Sequence, residues 1–385
     1  MAGVRDGQTG GGPPTLGGGG TGRPGRATPQ PRPTLEQVAR RAGVGRGTVS
    51  RVINGSPRVS ERTRAAVEAA VDELGYVPNR VARALAAGSA DAIALVIPEP
   101  ETRFFAEPYF SGILHGVSSE LARADMQLLL TLLHTQKEQD RFALYAAAHR
   151  IDGVLLVSVH ADDTLPDLLA DSGIPAVLNG RRSAAEPIPY VDCDNIGGAR
   201  AAVAHLLARG RESVATITGP PDMYAARCRA DGYREAMRDA GYPEDELLLT
   251  NGDFTEESGH RSMRRLLADR PGIDAVFCAS DVMAAGARIA LREAGRRVPD
   301  DVALVGFDDS AVARHMDPPL TTVRQPIAEM GREMARVLLE LLGKWTPGAA
   351  YPSAPTQAAP SPRPPGAGDR THRVLPTELI RRGSS

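Results

Sequence analysis

From residue 91 to residue 343 the chain alternates short unbroken apolar runs with longer stretches whose apolar residues recur at helical spacing. The runs lie at 93–97, 127–130, 154–157, 176–178, 214–217, 275–278 and 302–305, and β-branched residues are frequent in them. A strand covered on both faces has no polar face to show, so such runs predict buried parallel strands. Helical-period stretches such as 198–208 and 281–294 separate them. The alternation predicts a doubly wound α/β body, long enough for two sheets.

Residues 34–88 read instead as helical throughout. Thr34 and Gln37 have capping-box spacing, and Leu35, Val38, Ala39 and Ala42 fall on one face at i, i+3, i+4 and i+7. Gly43 suits a tight turn. Val49, Val52 and Ile53 give a second short helix an apolar face, and Ser60 starts a third that carries Val67, Val71 and Leu74 before Gly75. Ala39, Gly43 and Val49 have the spacing of a helix-turn-helix, in which a small residue lets two helices touch, a glycine turns the chain and an aliphatic residue locks the second helix. The plain alternative is a helical hairpin that binds nothing. Charge weighs against it. Net charge is −2, but residues 1–33 carry four Arg and one Asp, and residues 34–88 carry nine Arg and five acids. The remainder holds 32 bases and 41 acids, so a basic front precedes an acidic body, as a nucleic-acid-binding head would give.

The stretch TLEQVARRAGVGRGTVSRV beginning at Thr34, with Asn54, Val59-Ser60 and Leu74-Gly75-Tyr76-Val77-Pro78-Asn79 beyond it, resembles the lactose-repressor (LacI) family of bacterial transcriptional regulators. The resemblance implies a head, residues 34–78, whose recognition helix at about 46–54 enters the major groove of double-stranded operator DNA. Arg46, Gly47 and Arg51 then take base-reading positions, Thr48, Ser50 and Asn54 mostly hold phosphates, and Thr34 joins the DNA-contacting set. It also implies that 79–90 is a hinge helix and linker. There Asn79 and Arg80 touch DNA and Leu85 wedges between base pairs from the minor groove. Two positions depart from the pattern. Gly45 stands where the family has a serine cap, and Gly47 has no side chain with which to read a base, so the family's consensus operator does not carry over.

Looser motifs extend the resemblance through 91–343: Phe104-Phe105, Ile151-Asp152-Gly153, 226–232, Ser280-Asp281, 305–309 and 318–322. They imply a periplasmic-binding-protein-like body of two doubly wound α/β subdomains, with chain crossings near Val191 and Leu320. A small-molecule effector would lie between the subdomains. Arg229 and Asp308 would reach it from opposite sides, Phe254 would be an aromatic plate, and Phe105, Asn179 and Ser280 would complete the site. Arginine, a carboxylate and an aromatic face suit a polyhydroxyl ligand such as a sugar or sugar derivative; no cofactor or metal is expected.

Other functional classes fit less well. No G-x-S-x-G, G-x-x-x-x-G-K-[ST] or H-E-x-x-H occurs, which disfavours an α/β enzyme such as a sugar kinase fused to the head. Asp308-Asp309 makes a poor acid–base pair, because adjacent residues leaving a strand point in different directions. An exported solute-binding protein would lack the head and carry a signal peptide. Cys193, Cys228 and Cys278 are far apart with no C-x-x-C spacing, unlike a disulfide framework or thiolate metal site, and the apolar runs are too short to span a bilayer. The expectation is a non-enzymatic, ligand-responsive repressor, cytoplasmic and nucleoid-associated. One recognition helix reads few base pairs, so a homodimer on a palindromic operator is expected, with a tetramer left open and 197–208 and 281–294 as candidate interface pieces. Residues 1–33 and 344–370, rich in Gly, Pro and Ala, are expected to be a disordered arm and an insertion, before a final strand and tail at 371–385.

Overall fold

The structure, a computed structural model, describes residues 33–53, 56, 58–76, 89–243, 245–344 and 371–385. Most of the expected arm, hinge and insertion falls outside the described residues, and so do Asn54, Asn79, Arg80 and Leu85. The chain divides into two units, residues 1–79 and 80–385.

In the first unit the described helices are α1 (Leu35–Ala42), α2 (Arg46–Ile53) and α3 (Glu61–Leu74). Thr34 and Gln37 cap α1 reciprocally, and Gly43 ends it at φ +68°. The Ser60 hydroxyl accepts from the Thr63 N–H to start α3. One valine from each helix (Val38, Val49, Val67) is fully buried, and Ala39, Val52, Ala70 and Tyr76 complete a small core. Arg41 on α1 donates to Glu73 on α3 at 3.0 Å, tying the first helix to the third.

Among the described residues the second unit contains two six-stranded sheets, each the centre of a lobe. In lobe one the strands are β1 (Ala92–Ile97), β2 (Gln127–Leu132), β3 (Gly153–Leu156), β4 (Ala176–Asn179), β5 (Tyr190–Cys193) and β11 (His372–Leu375). Their order is β11-β5-β4-β3-β1-β2, all parallel. In lobe two they are β6 (Val214–Thr218), β7 (Leu249–Asn251), β8 (Ala275–Cys278), β9 (Ala303–Asp308), β10 (Thr321–Arg324) and β12 (Glu378–Ile380). The order there is β12-β10-β9-β8-β6-β7, with only β12 antiparallel to its neighbour.

Residues of β1 show why the runs are unbroken. Ile93, Leu95 and Ile97 pack with α5 (Pro108–Arg123) and α13 (Ile327–Leu341), while Ala94 and Val96 join α6 (Gln136–Ala147) and α7 (Leu165–Asp171) on the other face. Lobe two repeats the plan with α8 (Asn195–Ala208) and α9 (Tyr224–Asp239) on one face and α10 (Glu256–Asp269), α11 (Asp281–Glu293) and the short α12 (Ala311–His315) on the other. The apolar faces of α8 and α11 are buried within their own lobe. Strands β5, β7, β10 and β12 have no such run: they are three or four residues long with polar residues among them, and pairing with neighbouring strands is what makes them strands.

The chain passes from lobe one to lobe two after β5, returns after β10, and crosses again between β11 and β12. The first two crossings lie a little beyond 191 and 320. The third, at Pro376-Thr377, has no counterpart in the hydrophobic pattern, since both strands flanking it are short. Where the chain enters lobe one, Lys344 Nζ meets Ser89 Oγ at 2.7 Å, Asp91 at 3.0 Å and Asp152 at 3.1 Å, and Asp152 also accepts from the Ala90 N–H at 2.7 Å. The cluster pins the start of β1 to the loop before β3 and to the residues following α13.

Helices α5 and α13 touch backbone to backbone. A Cβ on Gly116 would sit 2.0 Å from the Ala328 carbonyl oxygen, and one on Gly331 would sit 2.4 Å from that of Ile113. Gly116→Ala should therefore force the helices apart and cost about 1–3 kcal/mol, the usual penalty of overpacking. Urea denaturation measures it, and an undiminished midpoint would mean that the two helices do not cross at this residue.

Candidate functional site

On α2, Val49 and Val52 point into the head's core, Thr48 and Ser50 are half-buried, and Arg46, Gly47 and Arg51 are exposed. The three proposed base-reading positions thus share the solvent side of one short helix. Arg46 pairs with Glu36 at 3.0 Å, but with side chains 71% and 55% exposed such a pair is weak and leaves the guanidinium available to a stronger anion. The Thr34 side chain is engaged in its cap. Among the described residues nothing lies within 4 Å of where a Cβ would stand at Gly45 or Gly47, so packing there demands neither glycine.

In the second unit a cleft enclosing about 830 Å³, open to solvent, lies at the carboxyl ends of the strands between the lobes. Asn179, Arg229, Phe254, Ser280 and Asp308 all line it. Phe105 does not. It is 79% exposed on the short helix α4 (Glu101–Ala106), whereas its neighbour Phe104 packs on Phe110. Of two adjacent aromatics on one helix only one can turn inward, and it is Phe104. Arg229 and Asp308 also depart from expectation, for they do not face each other across the cleft. Both come from lobe two, on α9 and at the end of β9, and approach to 3.8 Å. Both fall between the first two crossings, so one lobe must hold them.

Arg229 is 6% exposed, and its surroundings explain how a buried guanidinium is tolerated. Nε donates to Asn195 Oδ1 at 2.8 Å, Nη1 donates to the Ala279 carbonyl at 2.6 Å, and the Phe307 ring lies under it with its centroid 3.8 Å from Cζ. Asn195 in turn donates to Asp192 Oδ1 at 2.9 Å, and Asp192 Oδ2 accepts from Arg181 at 3.0 Å. Gln325 donates to Asp308 and accepts from the Cys193 thiol at 3.1 Å. Burial pushes the carboxyls of Asp308 and of neighbouring Asp281 above the usual range, with Arg229 and Gln325 opposing the shift at Asp308. Asp309 faces away, bonded to Arg324 at 2.8 Å and to Arg382, and serves as a strut.

Lobe one supplies a different chemistry. Burial holds the Tyr109 hydroxyl in its protonated form, and it donates to Asn179 Oδ1, while Asn179 Nδ2, also buried, has no hydrogen-bond partner among the described residues. Glu107 is pushed up to about 7 by burial, against the pull of Arg103 at 2.7 Å. Phe254, at φ +69°, lays its ring where a Cβ on Gly219 would be, so only glycine at 219 lets the plate sit against the backbone. Arg103, Glu107, Tyr109, Arg181, Asp192, Asn195 and Gln325 line the cleft without having been foreseen. The one usable signal was the polar string Asp192–Asn195 directly after a strand. Among the described residues no group of three or more His, Cys, Asp and Glu is placed to hold a metal ion, and no helix is long and apolar enough to cross a membrane.

Comparison with known proteins bears on both sites. Residues 34–79 match the family model for bacterial regulatory proteins of the lacI family, and residues 203–385 match that for a periplasmic binding protein-like domain. The HTH-type transcriptional regulator CelR of Thermobifida fusca is 52% identical over 311 residues, covering 80% of this chain and 92% of its own. A solved structure of a transcriptional regulator CelR–cellobiose complex is 47% identical, covers 92% of this chain and all of that one, and superposes with a TM-score of 0.68. The Lac repressor dimer bound to operator and the anti-inducer ONPF is 28% identical, covering 92% and 99%, with a TM-score of 0.76.

Asn195→Leu should destabilise the second unit by about 1–3 kcal/mol or more, because it strips a hydrogen bond from one buried charge and from a second beside it. Chemical denaturation followed by circular dichroism reads the loss, and parental stability would show that Arg229 finds its solvation elsewhere.

Proposed function

The chain belongs to the LacI family of bacterial regulatory proteins, and on that footing we propose that it is a repressor which binds a palindromic operator as a homodimer and answers to a saccharide in the inter-lobe cleft. Asn179 carries the ligand reading. A buried amide donor left without an acceptor costs free energy, and here it lines the cleft opposite the acceptors and donors of lobe two. Neutral amides, a buried arginine–carboxylate pair and the face of Phe254 suit a ligand with many hydroxyls and an apolar ring face. A relative with 47% identity holds cellobiose, so a β-linked glucose disaccharide is the first candidate. The operator reading rests on the exposed α2 face, and the dimer on the Lac repressor's arrangement on its operator. No cofactor is required, and the ligand leaves the cleft chemically unchanged.

A ligand held by Asn179 in lobe one and by Ser280, Arg229 and Asp308 in lobe two favours one closure angle over another. Only such differential affinity moves a conformational equilibrium. Cellobiose at about 100 times its Kd should stabilise the protein by about 2.7 kcal/mol, and incubation should return it intact. A thermal-shift series over disaccharides, monosaccharides and nucleosides tests this; a response confined to nucleosides would overturn the saccharide reading. Asn179→Ala should leave operator affinity without sugar near the parental value and abolish the sugar's effect on it, as read by fluorescence anisotropy at one fixed salt concentration.

Arg51→Ala should lower operator affinity by about 1–3 kcal/mol and binding to scrambled DNA much less, the mark of a lost base contact. Equal losses on both DNAs would place Arg51 on the phosphates.

A further inference from the structure

At the rim of the cleft, the loop after β3 meets the loop after β6. His160 Nδ1 lies 2.6 Å from Asp222 Oδ2, and the Ala161 N–H donates to the Asp222 carbonyl oxygen at 3.0 Å, so two bonds join lobe one to lobe two at one residue. Two further contacts cross nearby: Arg227 donates to the Arg182 carbonyl at 3.0 Å, and the Arg181 guanidinium lies 5.0 Å from the centre of the Tyr224 ring. Behind His160 stands Glu99, 4% exposed, which accepts from Ser158 Oγ at 2.6 Å and from Arg103 at 2.7 Å and lies 3.5 Å from His160 Nε2. Ser158 and Arg103 line the cleft, so the wall a ligand touches is one residue removed from the rim contact.

We propose that Glu99, His160 and Asp222 form a proton-dependent clasp across the cleft, which holds the two lobes together and sets how tightly the cleft retains its ligand. Among the described groups that cross here, His160 is the one that changes charge between neutral pH and about 9; the arginines stay cationic, and burial raises the Tyr224 phenol above its ordinary value. The charges around it are acidic in front. Glu99 comes from the loop after β1, Asp222 from the loop after β6, Asp162 adjoins on its own loop, and Asp163 accepts from its backbone N–H at 2.7 Å. Arg103 and Arg182 lie one step farther back, on Glu99 and on the Asp163 carbonyl. Hydrogen bonding to Glu99, against burial, and then to Asp222 pushes His160 up to about 9. Glu99 sits in lobe one and accompanies His160 whether the cleft is open or closed, so only the share due to Asp222 is linked to closure. Since closure raises the pKa, the clasp is present through neutral pH and is lost as pH rises through about 9.

The clasp is tested on the full chain by following the His160 resonance with carbon-labelled histidine, assigned from its absence in His160→Gln. Without ligand, the imidazole should titrate near 9, and Asp222→Asn should lower that value. Asp222 is half exposed, so its amide variant keeps the fold even if His160→Gln does not. Cellobiose affinity by calorimetry at pH 7 should fall about three- to tenfold in either variant, and no further in the double variant, because both remove one interaction. Parental affinity should also fall as pH rises through about 9. A His160 titration indifferent to Asp222→Asn, or variant effects that add, would overturn the clasp. The affinity arm rests on the saccharide reading. Failure of cellobiose to bind the parent protein would refute that reading, while the ligand-free titration still decides the clasp.

Discussion

A single guanidinium, that of Arg229, fixes the arrangement of the second unit. A buried charge without partners costs several kcal/mol, so its surroundings must be complete before the fold is stable. Its partners come from the start of α8, where the chain has just crossed between lobes, and from the ends of β8 and β9. Through Asp308 and Gln325 the same network reaches the residues of the second crossing, and through Gln325 and Cys193 it returns to the first. Satisfying one cation thus holds two crossings and two strand ends in register, and the cleft floor inherits their rigidity.

What the sequence disclosed follows from how local each cause is. The head was legible because caps, turn and core act within a few residues: Thr34 with Gln37, Gly43, and the three valines. The central strands were legible because sheets covered on both faces leave no polar alternation. Strands β5, β7, β10 and β12 were not, since three or four residues with polar ones among them become a strand only through the strands they pair with. The positions of Arg229 and Asp308 came from family resemblance, yet their shared lobe was implicit in the crossings. Phe105 failed because a pattern of two aromatics does not say which one turns inward.

The two lobes bring unlike chemistry to one cleft. Lobe two offers charges already neutralised by one another, at a geometry set by strand ends. Lobe one offers an amide short of a partner and a carboxyl, Glu107, poised near neutrality. A ligand therefore meets a preformed floor and a responsive wall. Such a division suits a regulator, whose site must report occupancy as well as hold its ligand.

The Lys344 cluster has a mechanical consequence. Three peptide connections side by side resist sliding and twisting between the lobes, and leave bending as the soft coordinate. The strands of lobe one run from the Ser89 end toward the cleft, and a strand such as β1, six residues long, spans about 20 Å. With Ser89, Asp91 and Asp152 bound to one ammonium, the residues just before β1 are held to the body of the lobe. Lobe one then acts as a lever arm with its fulcrum at the crossings, and a small change of cleft angle becomes a larger displacement at Ser89, at the opposite end of the lobe.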